Sequence, residues 1–218
     1  MLSLIRPRLF CAAAEPLQAA SKIAETFSGR STTQSNPRVL APVVTQKVLR
    51  DGNSIDFTCL GRAAASKLIH AIAIANAKNV EENRAFFKPA IAHGLKMDDG
   101  TNHKKVLTPF KISLFPQTSP RSFLESAHMV RRTKISAMED HEELAKNIHL
   151  SYMRKTPLVL ECMGERAMGV ITHSLALFND RVKAHDMSAY VNIITGKGPD
   201  GSDIVKMEFQ LVEQPKSN

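Results

Sequence analysis

The stretch IDFTCLGRAAASKLIHAIAIAN, residues 55–76, decides the architecture, because it returns as LVLECMGERAMGVITHSLALFN at residues 158–179. A constant offset of 103, with no gap, pairs Cys59 with Cys162, Gly61 with Gly164, Ala64 with Ala167, His70 with His173, Ala73 with Ala176 and Asn76 with Asn179. Similar apolar pairs fill the spaces: Leu60 with Met163, Leu68 with Ile171, Ile72 with Leu175 and Ile74 with Leu177. Duplication is the economical explanation, and two copies of one domain follow.

Within each copy, residues 54–60 and 157–163 cluster or alternate apolar side chains at strand length, and a glycine then ends the strand. The proline-free runs 62–78 and 165–183 are rich in Ala, Leu, Ile and Met, which predicts helices buried on one broad face. In the second copy, residues 131–136 read as a preceding strand and 140–154 as a helix with acids in its first turn and Arg154 and Lys155 at its end. Residues 188–195 and 204–212 alternate around the turn Gly-Lys-Gly-Pro-Asp-Gly-Ser, a hairpin, so the order is βαβαββ. The first copy is rougher. It offers a weak strand near 22–27, a polar loop 28–36, a helix near 37–50 in which Pro42 permits a start but not an uninterrupted interior, and a hairpin of 85–95 with 106–115. The linker begins at the proline pair Pro116 and Pro120. The expected class is α/β, an α+β sandwich of two tandem βαβαββ domains at 22–116 and 131–214, joined by 117–130.

Composition narrows the functional classes. The chain has 218 residues, 43% of them apolar, with Lys and Arg totalling 29 against 21 acids, a net charge of +8. No apolar run approaches the roughly 20 residues that cross a bilayer, so no membrane insertion is expected. Residues 22–118 carry a net +7 and residues 119–218 a net charge of zero, so the first copy holds nearly all of the surplus that an anionic partner selects. Cys11, Cys59 and Cys162 are too few and scattered for a disulfide framework or a CxxC zinc site, and neither a structural metal nor a cofactor is expected. Residues 1–21, with Arg6 and Arg8 among bulky apolar side chains and no acid before Glu15, have the composition of a mitochondrial presequence. A secretory signal fits worse, because Arg6, Pro7 and Arg8 interrupt its apolar region.

At GRAAASK, residues 61–67, the chain resembles the G-R-A-x-x-S-K signature of the Alba superfamily of small nucleic-acid-binding proteins. The AIAIA run at 71–75 and the endings KISLF at 111–115 and FQLVE at 209–213 are similar to its sporulation stage V protein S branch. The element order agrees across both copies, although the sharp motif stands in the first alone. The resemblance implies a four-stranded sheet with two helices on one face, pairing of two such domains, and binding to DNA or RNA through basic residues on loops and hairpin arms. A tandem repeat would then be an intramolecular pseudo-dimer. Archaeal members carry a lysine pair in the loop before the first helix. The second copy instead reads SAMEDHEE at 136–143, which repels phosphate, and it has lost the aligned Ser-Lys.

Arg62 and Lys67 fall on the basic positions of that motif. Arg62, Ser66 and His70 recur every fourth residue and share one helix stripe, with Lys67 beside them. A guanidinium and an ammonium near a helix N-terminus suit phosphate oxygens; the competing reading is the solvated edge of a packed helix. Arg30 and Arg38, in or beside the preceding loop, take the place of the family's lysine pair, and Lys96, Lys104 and Lys105 surround the first hairpin tip with His103. Two tyrosines and no tryptophan give poor support to a base-stacking platform, Phe86 and Phe87 being the possible exceptions. Phosphate-led binding with weak sequence preference fits better.

For catalysis, His70 and His173 could meet across a pseudo-twofold with Glu161 or Glu165 nearby, yet neither has the i, i+4 histidine of a helical metal site. Cys59 and Cys162 read as small core residues. Gly196-Lys197-Gly198 lies in a hairpin turn and is no P-loop. The expectation is therefore not an enzyme but an RNA-binding subunit of a ribonucleoprotein assembly of the mitochondrial matrix, such as the mitochondrial ribosome or an RNA-processing complex. The first copy would face RNA, with DNA second to it on the suspected compartment, and the second copy would face protein subunits. The alternative is a purely architectural subunit whose basic surface serves import and solubility.

Overall fold

A computed structural model describes residues 26–79, 83–93, 108–118, 130–182, 185–197 and 200–215. The targeting candidate at 1–21, the first hairpin tip with Lys96, Lys104 and Lys105, and most of the linker lie outside them. The first half runs β1 (Thr26–Ser31), α1 (Pro37–Val44, continuing as a π-helical turn Thr45–Arg50), β2 (Ser54–Leu60), α2 (Gly61–Lys78), β3 (Asn83–Ile91) and β4 (Pro109–Thr118). The second runs β5 (Arg131–Ile135), α3 (His141–Met153), β6 (Leu158–Cys162), α4 (Gly164–Arg181), β7 (His185–Lys197) and β8 (Asp203–Pro215). Both halves have the order βαβαββ, and the chain is a mixed α+β protein built on one eight-stranded sheet, β1-β2-β4-β3-β7-β8-β6-β5.

Several boundaries differ from the sequence reading. The first strand reaches Ser31, held there by parallel pairing to β2, so Arg30 belongs to a strand and not to the loop. β4 continues through Pro116, which pairs with Ala85, to Thr118. The two first helices reveal why the repeat upstream is ragged. Their N-caps, Asn36 and Asp140, each accept a bond from the amide two residues on and stand 104 positions apart, whereas β2 and β6 stand 103 apart. The first half has one residue more, and a π turn is how a helix stores an inserted residue; it lies at Thr45–Arg50, just past Pro42, which has no amide hydrogen to give. Beyond it the copies are back in step: Gly52 and Lys155 both have left-handed backbones, at φ +71° and +53°.

All four helices pack against the sheet face carrying Phe57, Phe87, Phe110, Leu160 and Phe209, and the core is continuous through both halves. Each such large side chain, fully buried, contributes roughly 1.5–3 kcal/mol. The halves join where β3 meets β7 antiparallel, Phe86 opposite Tyr190 and Phe87 opposite Ala189. Phe86 and Phe87 are fully buried there, the former against Tyr190 (5.7 Å between rings) and the latter against Phe209 (6.1 Å), so neither is available to stack on a base.

Above the seam α2 packs on α4. Any side chain at Gly169 would place its Cβ 2.9 Å from Cβ of Arg62, so the glycine sets how closely the helices approach. The repeated asparagines fasten the joint. Asn76 Nδ2 donates to the Ala85 carbonyl of its own half and the Val191 carbonyl of the other (3.0 Å each), and its Oδ1 accepts from the Ala85 amide (2.8 Å). Asn179 does the same with Met187 and, across the seam, Pro89. Identical residues at identical places thus clip each half to the other, with their buried polar atoms paired.

Candidate nucleic-acid interface

Both second helices start without a side-chain cap. β2 and β6 pass directly into α2 and α4 through Gly61 and Gly164, each at φ +80°, a conformation that glycine adopts without penalty. Their first-turn amides are therefore not satisfied by a capping side chain, in contrast to those of α1 and α3, and the positive ends of two 18-residue helices converge at the seam.

Three of the expected residues, Arg38, Arg62 and His70, line two adjoining cavities there, and Lys67 pairs with Glu165 in their shared wall. One, about 480 Å³, is lined by Arg62 and Ala63 at the start of α2, Ala137 in the loop after β5, and Glu165 and Arg166 at the start of α4. The other, about 640 Å³, runs along α2 past His70, Ile74 and Lys78, with Arg38 at the start of α1 and Glu165 again in its wall. Among the described residues no carboxylate pairs with Arg38, Arg62, Lys78 or Arg166. The one acid, Glu165, is held by Lys67 at 2.5 Å. Four unpaired cations and one neutralised pair leave this surface strongly positive, and guanidiniums beside the positive ends of helices are groups that bind phosphate oxygens.

The remaining expected residues take different places. Ser66 is fully buried, and its hydroxyl donates to the carbonyls of Arg62 (2.8 Å) and, across the seam, Glu165 (2.7 Å), so it stitches the halves. Arg30 is separated from the group. The hydroxyl of its neighbour Ser31 reaches the Ala64 carbonyl on α2, which by strand alternation sends Arg30 to the opposite face of the sheet. Arg166 and Lys78 were not singled out in the sequence. Arg166 stands one position beyond Glu165 in a copy that looked acidic, and only packing of α4 against α2 brings it beside Arg62.

His70 sits among Arg38, Lys67 and Glu165. Burial lowers its pKa below the ordinary 6.5, Glu165 pulling the other way. Its counterpart His173 stacks on His141 (4.1 Å between rings, 13° apart) with Phe110 edge-on at 5.3 Å. Burial first, then His141 and Arg62, bring His173 down to about 4, so it is neutral at pH 7. The environments are charge-reversed copies. Where Arg38 overlooks His70, the equivalent position holds Glu142, already paired to Arg181 at 2.5 Å, and the counterpart of Arg62 is Glu165. Burial raises Cys59 and Cys162 to about 12, leaving unreactive thiols. Among the described residues there is no cluster of three metal-ligating side chains and no helix long and apolar enough to cross a membrane.

No protein-family model matches the sequence, and no curated protein matches it either.

Proposed function

We propose that this chain is an RNA-binding subunit of a mitochondrial ribonucleoprotein assembly, built from two Alba-like domains packed as an intramolecular pseudo-dimer, and that it acts by binding and not by catalysis. Residues 1–21 direct it to the matrix and 117–130 join the domains. The observation that carries the reading is the set of unpaired cations, Arg38, Arg62, Lys78 and Arg166, around two adjoining cavities at uncapped helix starts. A phosphate chain laid there passes from Arg38 and Lys78, beside His70 and Lys67, to Arg62 and Arg166. Lys96, Lys104 and Lys105, which the sequence reading puts at a hairpin tip and which lie outside the described residues, would extend the contact along the strand, and Arg30 meets phosphate only where RNA wraps to the other face.

The second domain turns toward protein subunits. It exposes Met138 (92%), Met163 (57%) and Val205 (54%), as the first exposes Val39 (67%), and its balanced charge is what a protein contact favours. The architectural alternative draws on the same observation and needs no RNA.

The test is fluorescence-anisotropy binding of the full chain to a single-stranded RNA at low and moderate salt, beside Arg62→Ala/Arg166→Ala with its fold checked by circular dichroism. Binding that weakens steeply with salt and falls about tenfold or more in the variant supports the reading. Absence of binding at low salt leaves the architectural role.

A further inference from the structure

The sheet has a second face, opposite the helices, and its strands are not alike there. β2 alternates half-buried and buried residues along its length, as a strand wet on one side does. In β7 the consecutive residues Met187 to Val191 are all buried, and so are Ala85, Phe86 and Phe87 in β3. Alternation sends Phe86, Tyr190 and Val159 away from the helices, and none of the three belongs to the core that those helices cover. Yet Phe86 and Val159 are fully buried and Tyr190 is 2% exposed. With Ser188, Glu208 and Gln210, also buried, they form a strip across β3, β7, β8 and β6. Toward its two edges the same face is open: Arg30 and Lys111 on one side, and Arg132 and Lys134 on the other, are exposed.

A single chain buries this strip, and all four described helices are on the other side, so another part of the same chain covers it. Where the segments outside the described residues attach decides which one. Residues 1–25 enter at β1 and would have to cross β1, β2 and β4 first, where Arg30 and Lys111 stand open. Residues 94–107 leave β3 and return on its neighbour β4. Residues 119–129 leave β4 at Thr118, opposite Asn83, and lead into β5 at Arg131, opposite Leu158. Between those two strands lie β3, β7, β8 and β6, the strands of the buried strip. The crossing is roughly 24 Å at the usual strand spacing, and a chain from Thr118 to Arg131 can extend about 45 Å. Passing round the near end of the sheet instead means clearing the hairpin of β7 and β8, which runs on to Lys197 and Asp203.

We infer that residues 119–129 dock across this strip, Phe123, Leu124 and Met129 supplying the apolar side chains that cover Phe86, Tyr190 and Val159. The segment between the repeats is then part of the fold and not a tether. It holds the halves together on this face of the sheet, as Asn76 and Asn179 do under the helices, and it closes the middle of the face to RNA and to partner proteins. The inference does not depend on the RNA reading.

Tyr190 reports on the cover. Nitration of the full chain by tetranitromethane, read by mass spectrometry, should leave Tyr190 unmodified. In Phe123→Ser/Leu124→Ser, checked as folded by circular dichroism, Tyr190 should be nitrated faster by about tenfold or more. A milder variant, Phe123→Trp, keeps an apolar ring and reads the segment itself, since the natural chain has no tryptophan. Its indole should emit as a buried one and be quenched by acrylamide several-fold less than in the urea-unfolded chain. Rapid nitration of Tyr190 in the parent, an unchanged rate in the folded double variant, or an indole as open to quenching as in the unfolded chain would each overturn the assignment. Protection of Tyr190 that fades on dilution would overturn it too, because the cover would then be a second copy.

Discussion

The two halves share element order, strand order, paired glycines and paired asparagines, yet they differ in charge at several positions where the shared geometry meets solvent. Arg38 of the first half corresponds to Glu142 of the second, Arg62 to Glu165, and Gly52 to Lys155. The buried and half-buried correspondences do the opposite: Cys59 with Cys162, Asn76 with Asn179 and His70 with His173 are kept. The difference teaches which features belong to folding and which to partners. The asparagines that cross the seam have one geometric solution, so both copies hold them, whereas Ser66, which crosses the seam from one side, is matched by Gly169. Exposed positions are unconstrained by packing, so Arg38 and Arg62 of the first copy stand without a carboxylate partner where the second copy holds Glu142 and Glu165, each paired with a cation.

Four experiments sharpen or break this comparison. The largest effect is expected at the seam. Asn76→Ala and Asn179→Ala each remove three buried hydrogen bonds and leave a buried amide hydrogen unpaired, so each should cost about 2–4 kcal/mol in denaturant unfolding. The two losses should be similar; a large cost for one and none for the other would show that the joint is not symmetric.

Next comes a charge exchange. Arg38→Glu, which gives the first half the residue of the second, should lower RNA affinity about tenfold and flatten its salt dependence by about one contact. Glu142→Arg should strengthen binding by a smaller factor. Equal effects of both on affinity would mean that RNA does not distinguish the halves.

Acid is the third probe. The folded pKa of His173, about 4, lies below the 6.5 of an unfolded histidine, and His70 is shifted the same way. Between those values the unfolded chain binds more protons, so the stability contributed by neutral His173 is present above pH 6.5 and is lost as pH falls toward 4. Thermal midpoints should therefore drop over that range and drop less in His173→Phe. An identical drop in the variant would remove His173 from the account.

The smallest effect is conformational. Gly52 has open space where a Cβ would stand, so Gly52→Lys costs only the left-handed backbone, about 1 kcal/mol. Lys155→Gly should gain somewhat less than that, because it also loses the contacts to Tyr152 and Glu213. Chemical denaturation of both variants checks the pair.

Much of the fold was legible because the repeat makes two weak signals into one strong one. Each strand-glycine-helix unit is marked twice, and the second copy, with its acidic helix start and its Gly-Lys-Gly-Pro-Asp-Gly turn, names the elements that the first blurs. The first helix resisted reading because its extra residue sits in a π turn, which has no composition of its own. The site was legible only in part. Arg38, Arg62, Lys67 and His70 were visible as charge and spacing on one helix or beside it. Ser66 was placed on their stripe correctly, but the packing partner that buries it lies 99 residues away. Arg166 was hidden for the same reason, since its value depends on where α4 crosses α2 and not on its neighbours in sequence. Arg30 left the loop because pairing with β2 carries the first strand on to Ser31, and alternation along that strand turns it away from α2.

The central claim is that the cations at the seam hold RNA by its phosphates. The most direct measurement is the salt dependence of RNA affinity for the full chain and for Arg38→Ala/Arg62→Ala/Lys78→Ala/Arg166→Ala, whose substituted residues are all exposed or at the cavity walls. The account predicts that the variant stays folded, binds weakly, and loses about one unit of slope, in log affinity against log salt, for each contact removed. A folded variant with the affinity and slope of the parent chain would contradict it.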